Sequence, residues 1–327
     1  MWLSLVAGLL IATPGCAGDF QDNPQVTSFI DEMVKSHGFE REQLVALFDQ
    51  ARKREDILEA IARPAEKTKP WYEYRKIFVT PERIEGGVEF WKDNAARLER
   101  AGKHFEVDPA MIVAIIGVET RYGRHTGSYR VIDALSTLAF DYPPRAKFFR
   151  SELEQFLILT REEDVDATTV KGSYAGAMGY GQFIPSSYRN YAVDFSGDGK
   201  RNLWNDLDDI IGSVANYFHR HGWTAGAPVA ARVTGGLPVD GVEVSDDLKP
   251  GKTTAGDFFA KGAVTSPKLP ADLPVALLEL EQADGPEFWL TGNNFYVITR
   301  YNRSPLYAMA AYQLSEAIRD AYRKDAR

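Results

Sequence analysis

Apolar positions recur with helical period over most of the chain. Val26, Phe29, Ile30, Met33 and Val34 fall at i, i+3, i+4, i+7 and i+8, and Gly38 is placed to stop that helix. The stretches EREQLVALFDQA and EFWKDNAARLERA continue the pattern as far as Ala101. Between them, KPWYEYRKIF gathers aromatic and basic residues in what reads as a connection, a cluster suited to packing between helices or to a carbohydrate-facing wall. A second helical block runs from Asp108 to about Trp223. Beyond it, short β-branched or apolar runs broken by Gly, Pro and Asp-Gly predict a small β-rich unit. YAMAAYQLSEAIRDAYRK then returns to helical periodicity, with Met309, Tyr312, Leu314, Ile318 and Tyr322 roughly on one side. The expected fold class is mainly α (α+β). Its divisions are a leader (1–18), an N-terminal helical domain (19–103), a helical core (104–223), a small β-rich insertion (224–292) and a C-terminal return to the core (293–327). There is no repeat, low-complexity tract or heptad array.

At 327 residues the chain exceeds one typical domain, in keeping with two or three packed units. Its formal net charge of −8, with no segregated basic patch, argues against nucleic acid as a partner. Met1 to Gly15 is almost wholly apolar, ends in small residues and is followed by the only cysteine, Cys16. Too short to span a bilayer comfortably, it reads as a secretory signal. It resembles a bacterial lipoprotein signal, although no Lys or Arg precedes the apolar run and Thr13 stands where Leu is usual. Lipidation of Cys16 would make an anchored envelope protein. Cleavage after Ala17 would instead release a chain without cysteine. Neither form can hold an internal disulfide, so stability must come from packing.

The segment VDPAMIVAIIGVETRYG is a well-punctuated helix, with Asp108 at the N-cap, Pro109 at N1 and Gly123 just past the end. Counting back from Glu119 by three, four, seven and eight residues gives Ile116, Ile115, Ile112 and Met111, so the carboxylate shares the apolar, buried face. Desolvation raises a Glu pKa, which would let Glu119 hold a proton near neutrality and deliver it to a leaving-group oxygen. A structural Glu paired with Arg121, Arg124 or another cation fits the same helix. This segment alone leaves both readings open.

The wider pattern is more specific. VETRYG, SYAGAMGYGQFIPSSY, DFSGDG followed by NLW, IGSVANYFHRHGW and FYVITRYNRSPLYA occur in this order, and together they resemble the membrane-bound lytic murein transglycosylase B family, with a lysozyme-like catalytic core. The resemblance covers nearly the whole mature chain. It implies that residues 104–223 form that core and that the β-1,4 bond between N-acetylmuramic acid and N-acetylglucosamine of peptidoglycan is cleaved. A single Glu, matching Glu119, would act first as acid and then as base, closing a 1,6-anhydro ring without a second carboxylate of the kind most glycosidases use. Asp133 and Asp141 are better suited to capping and loop roles than to that second function. The resemblance also implies that Ser173 supports the reacting centre, that Met178 and Gln182 lie along the sugar groove, and that Tyr217, Tyr301, Asn302 and Tyr307 are further cleft positions. Tyr74 and Arg145 match through weaker motifs. A periplasmic monomer acting on glycan strands follows, held to the outer membrane if Cys16 is lipidated. The alternatives are a hydrolytic muramidase and a catalytically silent peptidoglycan-binding protein.

The loop DFSGDGKRNLWNDLDD supplies Asp194, Ser196 and Asp198 at positions 1, 3 and 5 of an EF-hand-like loop, Gly199 at position 6 and the Lys200 carbonyl at position 7. Asn205 replaces the bidentate Glu of position 12. The resembling family places its last acid near the start of the next helix, which favours Asp209 over Asp208. A bound Ca2+ would be structural, since the expected chemistry needs no cofactor. His37, His104, His125, His219 and His221 form no zinc motif, because the FHRH pair at i, i+2 does not share a helical face. They are expected at the surface or at helix ends. NRSP has the form of a glycosylation acceptor with no expected use.

Overall fold

The computed structural model describes residues 18–62, 69–236, 244–245 and 248–325. The leader, Cys16 included, lies outside the described residues. The first helices are α1 (Pro24–His37), α2 (Arg41–Gln50) and α3 (Glu55–Ile61). Asn23 caps α1 by accepting from the Gln25 N–H, and Gly38 ends it at φ 64°, as its position predicts. KPWYEYRKIF is mostly a helix, α4 (Trp71–Phe78), rather than a connection. Its Trp71 and Tyr74 are buried one turn apart, a helical pairing that the density of aromatics hid. Thr80 and Pro81 then start α5 (Pro81–Asp93), followed by α6 (Ala95–Phe105).

Helix α7 (Pro109–Thr120) begins as expected, with the Asp108 side chain accepting from the Ala110 N–H. It is not amphipathic. Every residue from Ala110 to Val118 is buried, and α5, α6 and two later helices surround it. A helix apolar all round is a core helix. Two of its neighbours come from far along the chain: α8 (Val131–Asp141), α9 (Ala146–Glu162) and α10 (Pro185–Tyr191) precede α11 (Leu207–Arg220), and a sheet unit with α12 (Ala255–Ala260) precedes α13 (Asn293–Tyr301) and α14 (Pro305–Asp325). Helices α11 and α14 pack on α7, and α14 also reaches α4 and α5.

Two antiparallel sheets accompany the helices. Strands β1 (Tyr129–Arg130) and β2 (Lys171–Gly172) pair across the core. The second sheet has order β4-β3-β6-β5, from β3 (Ala230–Gly235), β4 (Val264–Ser266), β5 (Ala276–Gln282) and β6 (Gly285–Thr291). Its β5–β6 hairpin closes where Gln282 pairs Gly285, the turn that Asp-Gly announces. One set of its side chains, including Leu277 and Leu290, covers a small separate core with Phe258. The other, including Leu278 and Leu280, joins the main core.

The N-terminal helices are held to the core by Phe140 of α8, whose ring meets Phe20, Phe29 and Phe48 edge-on at centroid distances of 5.9, 6.1 and 6.3 Å. Beside it, Asp133 accepts from the Arg52 N–H at 2.8 Å and Thr137 from the Arg54 N–H at 3.1 Å. Asp133 is thereby a structural acid, and Asp141 ion-pairs with Lys53 at 3.3 Å. Phe140→Ala is expected to cost about 3–5 kcal/mol of stability, read from guanidinium denaturation. A loss below about 1 kcal/mol would mean that this cluster does not anchor the N-terminal helices.

Candidate active site

Glu119 sits in the last turn of α7, where its neighbours on both sides in sequence are buried and it is half-buried. The Tyr307 hydroxyl of α14 donates to its Oε1 at 2.5 Å. Tyr301, at the end of α13, donates to the Gly181 carbonyl at 2.5 Å. Burial, and after it the Glu119 carboxylate, pushes both phenols well above their ordinary range. Both are therefore neutral donors at any working pH. Tyr301 and Tyr307 feel the carboxylate directly, and two further sequence-predicted tyrosines stand next to them, Tyr217 beside Tyr301 and Tyr74 beside Tyr307.

Tyr217 is held from several sides. Its hydroxyl donates to the Arg300 carbonyl at 2.5 Å, its ring meets Tyr301 at 4.7 Å, and His221 stacks on it at 4.1 Å. Burial lowers the His221 pKa, which favours the neutral ring. His221 thus supports an aromatic cluster at the end of α11, whereas His219 contacts the Phe105 carbonyl at 2.9 Å.

The glycine-rich segment wraps this cluster. Ser173 Oγ accepts from the Ala177 N–H at 3.1 Å and the Ala175 N–H at 3.3 Å, which leaves its proton for donation to a ligand. Gln182, at φ 49°, donates both amide protons to the protein, to Thr126 O at 3.1 Å and Gly179 O at 2.9 Å. Its carbonyl oxygen is what remains for a ligand. Met178 differs from the expectation: its side chain is fully enclosed, because its backbone exchanges hydrogen bonds with Phe183 and draws the residue inward. Asn302, next to Tyr301, accepts from the Ser304 N–H at 3.0 Å. Arg145 is exposed on a short turn, stacked over Phe148 at 4.3 Å, and none of its described contacts joins it to Glu119.

Helix α7 ends at Thr120 rather than running to Gly123. Arg121 and Tyr122 take left-handed φ of 50° and 61°, carrying the chain back toward α5. The Tyr122 ring slots between α5 and α7, where a Cβ at Gly117 would lie 2.5 Å from its hydroxyl and one at Gly87 2.7 Å away. That hydroxyl donates to the Arg83 carbonyl at 2.5 Å. Arg83 is itself buried, and its guanidinium bonds the Gly117 carbonyl and lies 3.4 Å from that of Val118. A cation at the negative end of a helix satisfies orphan carbonyls and offsets the dipole. Burial, then Arg121, lowers the Arg83 pKa, while Tyr122 and Glu119 oppose the shift. Sequence reasoning missed Arg83 and Tyr122. The available signal was the Gly86–Gly87 pair facing Gly117, which marks close helix approach. Of the expected partner arginines, Arg124 lies 4.0 Å from Glu89 and Arg121 caps the helix.

The acidic loop gathers Asp194, Asp198 and Asp209, each offering an oxygen within 4.8 Å of the others. Asp209, fully buried, accepts from the Phe195, Ser196 and Asn202 N–H groups at 2.8–2.9 Å, which folds the loop onto α11. Asp208 is engaged elsewhere, by Arg97 at 3.0 Å and Arg100 at 2.7 Å. Ser196 and Lys200 bond to the acids, Ser196 Oγ to Asp194 at 3.3 Å and the Lys200 N–H to Asp198 at 2.9 Å. The donor set is hard oxygen throughout and fits Ca2+.

Residues 21–316 match the model of the transglycosylase SLT domain. The chain is 46% identical over 310 residues to membrane-bound lytic murein transglycosylase B of Escherichia coli (strain K12), covering 92% of this chain and 84% of that one. It superposes on soluble lytic transglycosylase SltB1 from Pseudomonas aeruginosa with a TM-score of 0.84 at 51% identity, over 91% of this chain and 99% of the other. Against the Escherichia coli lytic transglycosylase Slt35 in complex with calcium the TM-score is 0.85 at 46% identity, over 94% and 96% of the two chains. Arg83→Met is expected to lower stability by about 1–3 kcal/mol by removing the side-chain donor from the Gly117 carbonyl, which keeps only the Arg121 N–H, and from that of Val118, measured by chemical denaturation. A loss under about 0.5 kcal/mol would show that those carbonyls are satisfied without it.

Proposed function

The chain belongs to the transglycosylase SLT family and is a peptidoglycan lytic transglycosylase with a lysozyme-like fold, and we propose that Glu119 alone performs its acid and base steps. The observation that carries this reading is the half-buried carboxyl at the end of a core helix, oriented by the Tyr307 hydroxyl at 2.5 Å. As acid, Glu119 gives its proton to the glycosidic oxygen between N-acetylmuramic acid and N-acetylglucosamine while the bond from C1 to that oxygen breaks. As base, the same group takes the proton of the muramyl C6 hydroxyl while that oxygen bonds to C1. The product is a 1,6-anhydro ring, no water is consumed, and Glu119 ends as it began. Asp133 and Asp141 are committed to Arg52, Arg130 and Lys53, which supports a mechanism without a second carboxylate.

The neutral tyrosines supply hydrogen bonds without adding charge beside the carboxyl. Ser173 offers its hydroxyl proton and Gln182 its carbonyl oxygen to the sugars. Tyr74, Tyr217 and Tyr301 shape the walls, Asn302 extends them, and Arg145 stands outside as a distal contact. Asp194, Ser196, Asp198, the Lys200 carbonyl and Asp209 would hold a Ca2+ that braces the loop onto α11, consistent with the calcium complex of Slt35. No helix among the described residues is long and apolar enough to cross a membrane. A periplasmic location with a lipid on Cys16 is the reading that joins this to the membrane-bound relative.

Mass spectrometry of digested sacculi is expected to show muropeptides ending in 1,6-anhydromuramic acid; reducing ends alone would establish a muramidase instead. Glu119→Gln should bind sacculi without dissolving them, and persistent lysis would remove this residue from the mechanism. Tyr307→Phe is expected to lower kcat about tenfold to a hundredfold by freeing the carboxyl to rotate. Calcium should raise the Tm of the parent protein, by about 2.7 kcal/mol of stabilisation at about 100 times Kd, but not that of Asp194→Ala. Equal shifts would place the ion elsewhere.

A further inference from the structure

Apart from the Glu119 cluster, the chain has a cavity of about 710 Å3 where α4 and α14 meet the β3–β6 face of the sheet. From these lining residues the geometry points to an accessory saccharide site that holds a sugar of the glycan strand outside the cleavage site. The inference rests on the reading of the chain as an enzyme of glycan strands.

The volume falls within the range of small-molecule sites. Four aromatic residues stand among a mostly polar lining: Trp71 and Tyr72 from α4, Trp289 from β6 and Tyr312 from α14. Such rings pack against sugar C–H faces while their polar edges hydrogen-bond. Trp71 is 1% exposed, yet its indole N–H has no hydrogen-bond partner among the described residues. A buried donor without an acceptor carries a desolvation cost, which makes this wall a place where the protein's own packing leaves a polar group unsatisfied.

The opposite wall is already ordered. Arg232 and Trp289 face each other across β3 and β6, and both are held by Glu287, at 2.9 Å from the guanidinium and 2.7 Å from the indole nitrogen. The Tyr312 hydroxyl donates to the Ala230 carbonyl at 3.0 Å, and its ring meets Trp289 at 6.4 Å and 89°. Gln282 and Gln313 add amide groups. Three cations, Arg75, Lys76 and Arg232, are matched by three carboxylates, Glu287, Glu316 and Asp320. The lining is therefore near neutral. It gives no preference to a carboxylate-bearing peptide and suits an uncharged N-acetylhexosamine.

The cavity shares its elements with the cleavage site. Helix α4 carries Tyr74 toward Tyr307 and Tyr72 into the cavity. Along α14, Gln313 lies six residues beyond Tyr307, about 9 Å at the helical rise. A strand bound at Glu119 and a sugar bound here would press on the same two helices.

Isothermal titration of the Glu119→Gln protein with N-acetylchitotriose is expected to show two binding events. Tyr72→Ala in that background, where the ring is half-exposed and outside the main core, should weaken one event about tenfold or more and leave the other. Trp289→Ala, checked for folding by its thermal transition, should do the same. A single event unaltered by both substitutions, or two events with neither affected, would overturn the assignment. Failure of the proposed chemistry is separable: reducing-end products with two intact binding events would reject the transglycosylase mechanism and keep this site.

Discussion

The carboxyl of Glu119 depends on how the end of α7 is closed. An apolar core helix that stops inside the protein leaves carbonyls that water cannot reach. Here the Arg121 N–H and the Arg83 guanidinium of α5 share the Gly117 carbonyl, the guanidinium also lies 3.4 Å from that of Val118, and Tyr122 locks Arg83 through its backbone carbonyl. The arrangement works only because Gly87 and Gly117 let the ring lie between two helices at contact distance. Glu119 is therefore fixed from below by main-chain chemistry and from above by one phenol.

Much of the architecture was legible because it follows from local chemistry. The cap Asp108, the stop at Gly38, the Asp-Gly turn and the return to helix at the C-terminus are short-range signals, and each has its counterpart in the structure. The aromatic helix α4 reads as a connection in the sequence, since its burial depends on α14, more than two hundred residues later. Periodicity also assigned α7 a single buried face. With apolar residues at nearly every position, phase carries no information, and only the surrounding helices reveal burial on all sides.

The candidate site divides in the same way. Its motif residues could be named because their order along the chain is distinctive, and the structure puts Tyr301 and Tyr307 beside Glu119, with Tyr217 and Tyr74 next to those two tyrosines. Met178 is enclosed because a backbone hydrogen-bond pattern turns it inward, a fact no side-chain pattern encodes. Arg83 was invisible for a related reason. A charged residue on an early helix looks solvent-facing until the carbonyls it serves are located.

The tyrosine that bonds the Glu119 carboxyl lies on the last described helix, 188 residues downstream. A ribosome-bound or C-terminally clipped chain lacking α14 has Glu119 but not the phenol that orients it, nor the surface that covers α4, α5 and α7. The pocket around Glu119 is thus closed by the end of the chain, and its geometry is set only when the final segment docks.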